Sequence, residues 1–85
     1  MVLPSGYKEK EKYLDLFEAL QSVYGLTHRE CEIACQVATG INNEMVAKNT
    51  GIKDKTVKLH LTNIFRKMKI QSRGQLIVKC FELRG

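Results

Sequence analysis

The chain has 85 residues, 44% hydrophobic and 27% charged, which describes one small domain with a modest core and leaves no room for a separate sensor domain. It contains no run of about 18 apolar residues, and its start, MVLPSGYKEKEK, lacks the apolar segment of a secretory signal; both argue against a membrane protein and for a cytoplasmic one. Three sparse cysteines argue against a disulfide framework, and a net charge of +5 is unevenly spread.

Residues 1–7, with Pro4, Ser5 and Gly6, read as a loose start. A first helix is predicted from Lys8 to Tyr24, because Tyr13, Leu14, Phe17, Leu20 and Val23 or Tyr24 recur at helical spacing before Gly25. Phe17 and Leu20 are expected to cover the core, with Tyr13, Leu14 and Tyr24 left for a partner. Thr27-His28-Arg29-Glu30 then has the pattern of a capping box. It opens a second helix, from about His28 to Thr39, with Ile33, Ala34, Val37 and Ala38 turned inward. Asn42 and Asn43 are each able to cap a short third helix, Asn43 to Thr50, whose apolar residues are Met45, Val46 and Ala47. Gly51 and Ile52 make a tight turn. A fourth helix starts near Lys53 or Asp54 and ends around Lys69. Gln71 or Ser72 caps the last, Arg73 to about Leu83, with Leu76, Ile77, Cys80 and Phe81 on its apolar side. The fold class is all-α, with the sequence dividing into an N-terminal extension, 1–24, and a domain, 25–85.

The fourth helix carries the functional signal. Val57, Leu61, Ile64 and Met68 form one apolar stripe at helical period. At about 100° per residue, Lys55, Leu59, Thr62 and Arg66 gather on the opposite side, flanked by Lys58 and Lys69. Residues 53–73 hold seven Lys or Arg against one acid, whereas residues 1–52 hold five bases against seven acids. A concentrated basic patch of this kind is the footprint of a polyanion site. Cations on this face suit phosphates and guanine edges, and Leu59 suits a thymine methyl. An ordinary solvated basic face, an anionic membrane or an acidic protein would fit the charge alone. The narrow apolar stripe and the helices upstream disfavour the membrane surface. Two helices joined by a Gly-containing turn, the second basic, make a helix-turn-helix.

Rival chemistry has less support. His28, Cys31 and Cys35 fall on one helical face and would need Cys80 or His60 to complete a zinc site, but zinc-site spacings such as C-x2-C are absent. Buried cysteines packing as hydrophobes are the commoner outcome. No nucleophile has an identifiable base and no glycine-rich phosphate loop is present, so neither enzyme activity nor a metal or other cofactor is expected.

Leu26-Thr27-His28-Arg29-Glu30, Ala38-Thr39-Gly40-Ile41-Asn42-Asn43, Val46-Ala47, Gly51-Ile52, Thr56 to Met68 and Ser72-Arg73-Gly74-Gln75 stand in an order that resembles the LuxR/GerE-type helix-turn-helix family, the NarL/FixJ output domain. The resemblance covers about residues 25–80. It implies a bacterial transcription regulator built on a four-helix DNA-binding domain, here preceded by one extra helix and therefore similar to standalone members. It implies binding to double-stranded DNA as a homodimer on inverted half-sites, and association with the bacterial nucleoid when bound. Base reading is implied for Lys58, Leu59 and Thr62. Phosphate contact is implied for Asn43, Lys55, Thr56, Lys67 and Lys69, and Arg66 joins them from the outward face. The family's last helix often makes the dimer, which here gives Leu76, Ile77, Cys80 and Phe81. The alternative is a helix-turn-helix relative that acts on RNA polymerase or another regulator without touching DNA. Four departures stand out. Lys53 occupies the usual Ser or Thr cap, Met45 replaces a Glu that normally pairs with the opening Arg, and Gln36 and Thr50 replace apolar residues. Arg29 is therefore expected to lack its usual partner.

Overall fold

The computed structural model describes residues 7–84, with side chains from Asp15 onward. Five helices follow in order: α1 Tyr7–Tyr24, α2 His28–Ala38, α3 Asn43–Thr50, α4 Asp54–Met68 and α5 Arg73–Leu83. Helix α2 is the centre, packing against each of the other four, while α3 lies on α4 and α1 touches α5.

Local chemistry sets the boundaries. Thr27 accepts from the Glu30 N–H while the Glu30 carboxylate accepts from the Thr27 N–H at 2.8 Å, so the capping box at α2 is complete. At α3 the cap is Asn42, whose Oδ1 accepts from the Met45 N–H at 2.9 Å; Asn43 is already the first helical residue. Gly51 takes φ 71°, the left-handed conformation that L-residues resist, and its N–H closes on the Ala47 carbonyl. This turn brings α4 back across α3. Ser72, not Gln71, caps α5 by accepting from the Gln75 N–H.

The core is one cluster. Ile33, Ala34, Val37, Cys31 and Cys35 of α2 meet Val46 and Ala47 of α3, Leu76 and Cys80 of α5, and the full predicted stripe of α4, Val57, Leu61, Ile64 and Met68. Each large side chain so buried stabilises the fold by roughly 1.5–3 kcal/mol relative to exposure. Helix α1 joins the same core through Leu16 and Leu20, both fully buried, with Phe17 and Tyr24 half-buried beside them. Leu16 is absent from the predicted stripe. The expectations for Tyr13 and Leu14 lie outside the described side chains.

Met45 is 45% exposed, because neighbouring Val46 and Ala47 take the inward side of a helix only two turns long. Arg29 Nη1 donates to the Thr50 carbonyl at 3.1 Å and lies 3.4 Å from Glu32. The long guanidinium reaches the end of α3 in place of a carboxylate on that helix. Leu76 and Cys80 are fully buried in the chain's own core. Gln36 and Thr50, polar where apolar residues were expected, find bonds: Gln36 Oε1 accepts from Asn49 Nδ2 at 3.2 Å, and the Thr50 hydroxyl donates to the Val46 carbonyl at 2.7 Å.

Candidate nucleic-acid interface

Helix α4 is anchored by its buried stripe and presents the other side to solvent. Lys53, Lys55, Lys58, Leu59, Thr62, Arg66 and Lys69 are all exposed, and Thr56 is half-buried at the first turn. Leu59 is 60% exposed among them. One helix thus offers cations at both ends and along its length, with a single aliphatic side chain in the middle.

Two contacts shape what this face can do. Lys58 Nζ lies 3.4 Å from Asp54, one turn earlier, in an exposed pair that contributes little to stability and leaves the ammonium free to move. The Thr62 hydroxyl donates to the Lys58 carbonyl at 3.0 Å. Its proton is engaged along the helix, so it presents lone pairs and a methyl outward. At the start of α4, Lys53 holds the N-cap position without a side-chain hydrogen bond, and Asp54 sits in the first turn. The opening N–H groups, which have no partner within the helix, therefore meet no side-chain cap. Lys69 ends the helix in the left-handed conformation, φ 57°.

Lys67 differs from the other cations. It turns toward α2, where its Nζ lies 2.7 Å from Glu30 Oε1, and it is only 29% exposed. Burial raises the Glu30 pKa, but the hydrogen bond from Lys67, the Thr27 N–H and the Lys67 charge outweigh it, and the carboxyl titrates below its ordinary value. Phosphate contact by Lys67 would compete with this pair. Asn43 also has a protein partner: Arg73, first residue of α5, donates through Nη1 to Asn43 Oδ1 and through Nη2 to the Ile41 carbonyl. The sequence motif contained both Glu30 and Arg73 but pointed to neither of these long-range partners, since the contacts span 37 and 30 residues.

Elsewhere, the postulated zinc ligands do not converge. His28 is exposed and paired with Glu32 at 2.7 Å, Cys31 and Cys35 face the core, and among the described residues no three His, Cys, Asp or Glu are placed to hold a metal. Burial pushes the Cys80 thiol up to about 11, and burial with the Glu30 charge does the same to Cys31. No described helix is long and apolar enough to cross a membrane. On α5, Ile77 is half-buried while Val78 and Phe81 are exposed, Phe81 by 74%.

Residues 24–80 match the family model described as bacterial regulatory proteins, luxR family. The chain is 40% identical over 81 residues to the response regulator protein VraR of Staphylococcus aureus, covering 95% of this chain and 36% of that protein. It is also 40% identical over 57 residues to the nitrate/nitrite response regulator protein homolog of Haemophilus influenzae, covering 67% of this chain and 27% of the relative. The VraR of Staphylococcus saprophyticus gives the same identity over 57 residues. The chain therefore spans about a third of the length of these relatives or less. No solved structure matches it.

Proposed function

We propose that this chain, which belongs to the luxR family of bacterial regulatory proteins, is a transcription regulator that binds double-stranded DNA by laying α4 in the major groove. The observation that carries this reading is the division of α4: four buried apolar residues behind, and Lys55, Lys58, Leu59, Thr62 and Arg66 exposed in front. A helix of ordinary diameter fits the major groove, where base edges are distinguishable. Lys58 donates to guanine O6 or N7, Leu59 meets a thymine methyl, and Thr62 accepts from an exocyclic amine. Lys55, Thr56, Arg66, Lys69 and Asn43 contact phosphates. Lys67 acts from behind, pinning α4 to α2 through Glu30. Affinity falls with salt, with a log–log slope of about −0.9 for each phosphate neutralised.

The regulator works as a cytoplasmic homodimer on inverted half-sites. Its dimer contact draws on Ile77 and Phe81, since the other two apolar residues first assigned to that contact are spent on the core.

The test is selection of bound duplexes from a randomised library at moderate salt, for wild type and for the Lys58→Ala/Thr62→Ala double variant. Enrichment of an inverted repeat by the wild type, lost in a double variant that keeps its helical circular dichroism, is the expected result. Each lost base contact is worth about 1–3 kcal/mol of discrimination. Absence of enrichment by folded wild type would overturn the reading and favour a module that binds RNA polymerase or another regulator, for which exposed Val78 and Phe81 offer a surface.

A further inference from the structure

We propose that Arg73 is a positioning residue that decides which end of the Asn43 side-chain amide faces the DNA. The proposal rests on the DNA-binding reading above and adds a residue to it. Arg73 opens α5, and Asn43 opens α3. The Arg73 fork spans the turn before α3, bonding Asn43 Oδ1 with one nitrogen and the Ile41 carbonyl with the other.

A guanidinium has only donors. The atom of Asn43 facing it is therefore the amide oxygen, and the amide nitrogen points the other way. Phosphate oxygens only accept. An Asn that contacts phosphate must present its nitrogen, and one flipped by 180° would present a carbonyl oxygen to an anion. Unrestrained, the terminal torsion of Asn is broad and roughly two-fold, so both orientations are open to it. The fork removes that choice before DNA arrives, so the contact forms without reordering the side chain.

The neighbouring residues divide the work. Asn42 uses its own oxygen to cap α3 through the Met45 N–H. That oxygen is engaged by a backbone N–H of its own helix, so of the two amides it is Asn43 that Arg73 orients. Both Asn43 and Arg73 are half-buried, a setting in which two bonds from one planar group hold a fixed geometry. A lysine at position 73 would keep the charge but lose the fork. Charge and positioning can therefore be separated.

The experiment is a double-mutant cycle on the duplex enriched in the selection, with dissociation constants for wild type, Asn43→Ala, Arg73→Lys and the pair, and melting temperatures alongside. Each single change is expected to weaken binding by about tenfold, and the pair by no more than either single change, because both remove the same contact. In the free protein, the Asn43 side-chain amide protons are expected to give one resolved NMR pair in wild type and an averaged pair in Arg73→Lys. Asn43→Asp keeps the fork's acceptor while removing every donor, and is expected to stay folded and lose at least as much affinity as Asn43→Ala. Additive effects of the two singles, or unchanged affinity in a folded Arg73→Lys, would overturn the proposal. If Arg73→Lys unfolds, unchanged affinity in Asn43→Asp overturns it alone. These results are distinct from failure of the DNA reading, in which the Lys58→Ala/Thr62→Ala variant would bind the duplex as wild type does.

Discussion

At the scale of single residues, Glu30 combines two tasks. It caps α2, it is 4% exposed, and it takes the ammonium of Lys67 at 2.7 Å. Glu30→Gln keeps the shape and removes the charge, and is expected to cost about 2 kcal/mol at neutral pH, the range for hydrogen bonds to charged groups. The pH dependence follows from the direction of its shift. The folded carboxyl titrates below the unfolded one, so its contribution is complete above the unfolded pKa of about 4.3 and disappears as pH falls through the lower folded value. Urea unfolding between pH 7 and 3 is expected to show wild type and Glu30→Gln converging at the acid end. A constant gap would mean that the charge does not matter.

Elements show how the residues were arranged and how much of that was legible. The bounds of α3 and α5 and the capping box of α2 follow from the order of Gly, Asn, Ser and Thr, because caps and turns are local chemistry. The α4 stripe is equally plain, since its apolar and basic residues alternate cleanly at helical period. Helix α1 is harder. Leu14, Leu16, Phe17, Leu20, Val23 and Tyr24 crowd two overlapping stripes, and periodicity alone does not choose the one containing Leu16. Packing on α2 and α5 makes the choice, leaving Val23 62% exposed. The partners of Arg29, Lys67 and Arg73 were not legible because each is a long side chain reaching a distant segment. Among the four helices whose caps are described, α4 alone lacks a side-chain cap. Lys53→Ser is expected to supply one and to raise stability by about 0.5–1 kcal/mol, read as a higher melting temperature. The same change removes a cation beside the proposed interface, so DNA affinity is expected to fall as stability rises. Gains in both would place Lys53 outside the interface.

On the scale of the whole molecule, α1 is structural. Leu16 and Leu20 share one core with α2 through α5, although they lie outside residues 24–80 that match the family. Leu20→Ala is expected to cost about 3 kcal/mol, within the range for buried Leu truncation and a large share of a small domain's stability. Denaturant unfolding checks this. A loss under 1 kcal/mol would show that α1 is detached in solution. The buried thiols supply a second view of the same question. Cys31, whose Sγ lies 3.8 Å from the Phe17 carbonyl of α1, and Cys80 on α5 both have pKa values pushed up to about 11. A reagent that attacks thiolates has no target in the closed fold. Each alkylation event therefore marks an opening, and the two sulfurs time different ones. If α1 lifts before the rest unfolds, Cys31 is labelled ahead of Cys80; if the chain opens as one unit, the two are labelled together.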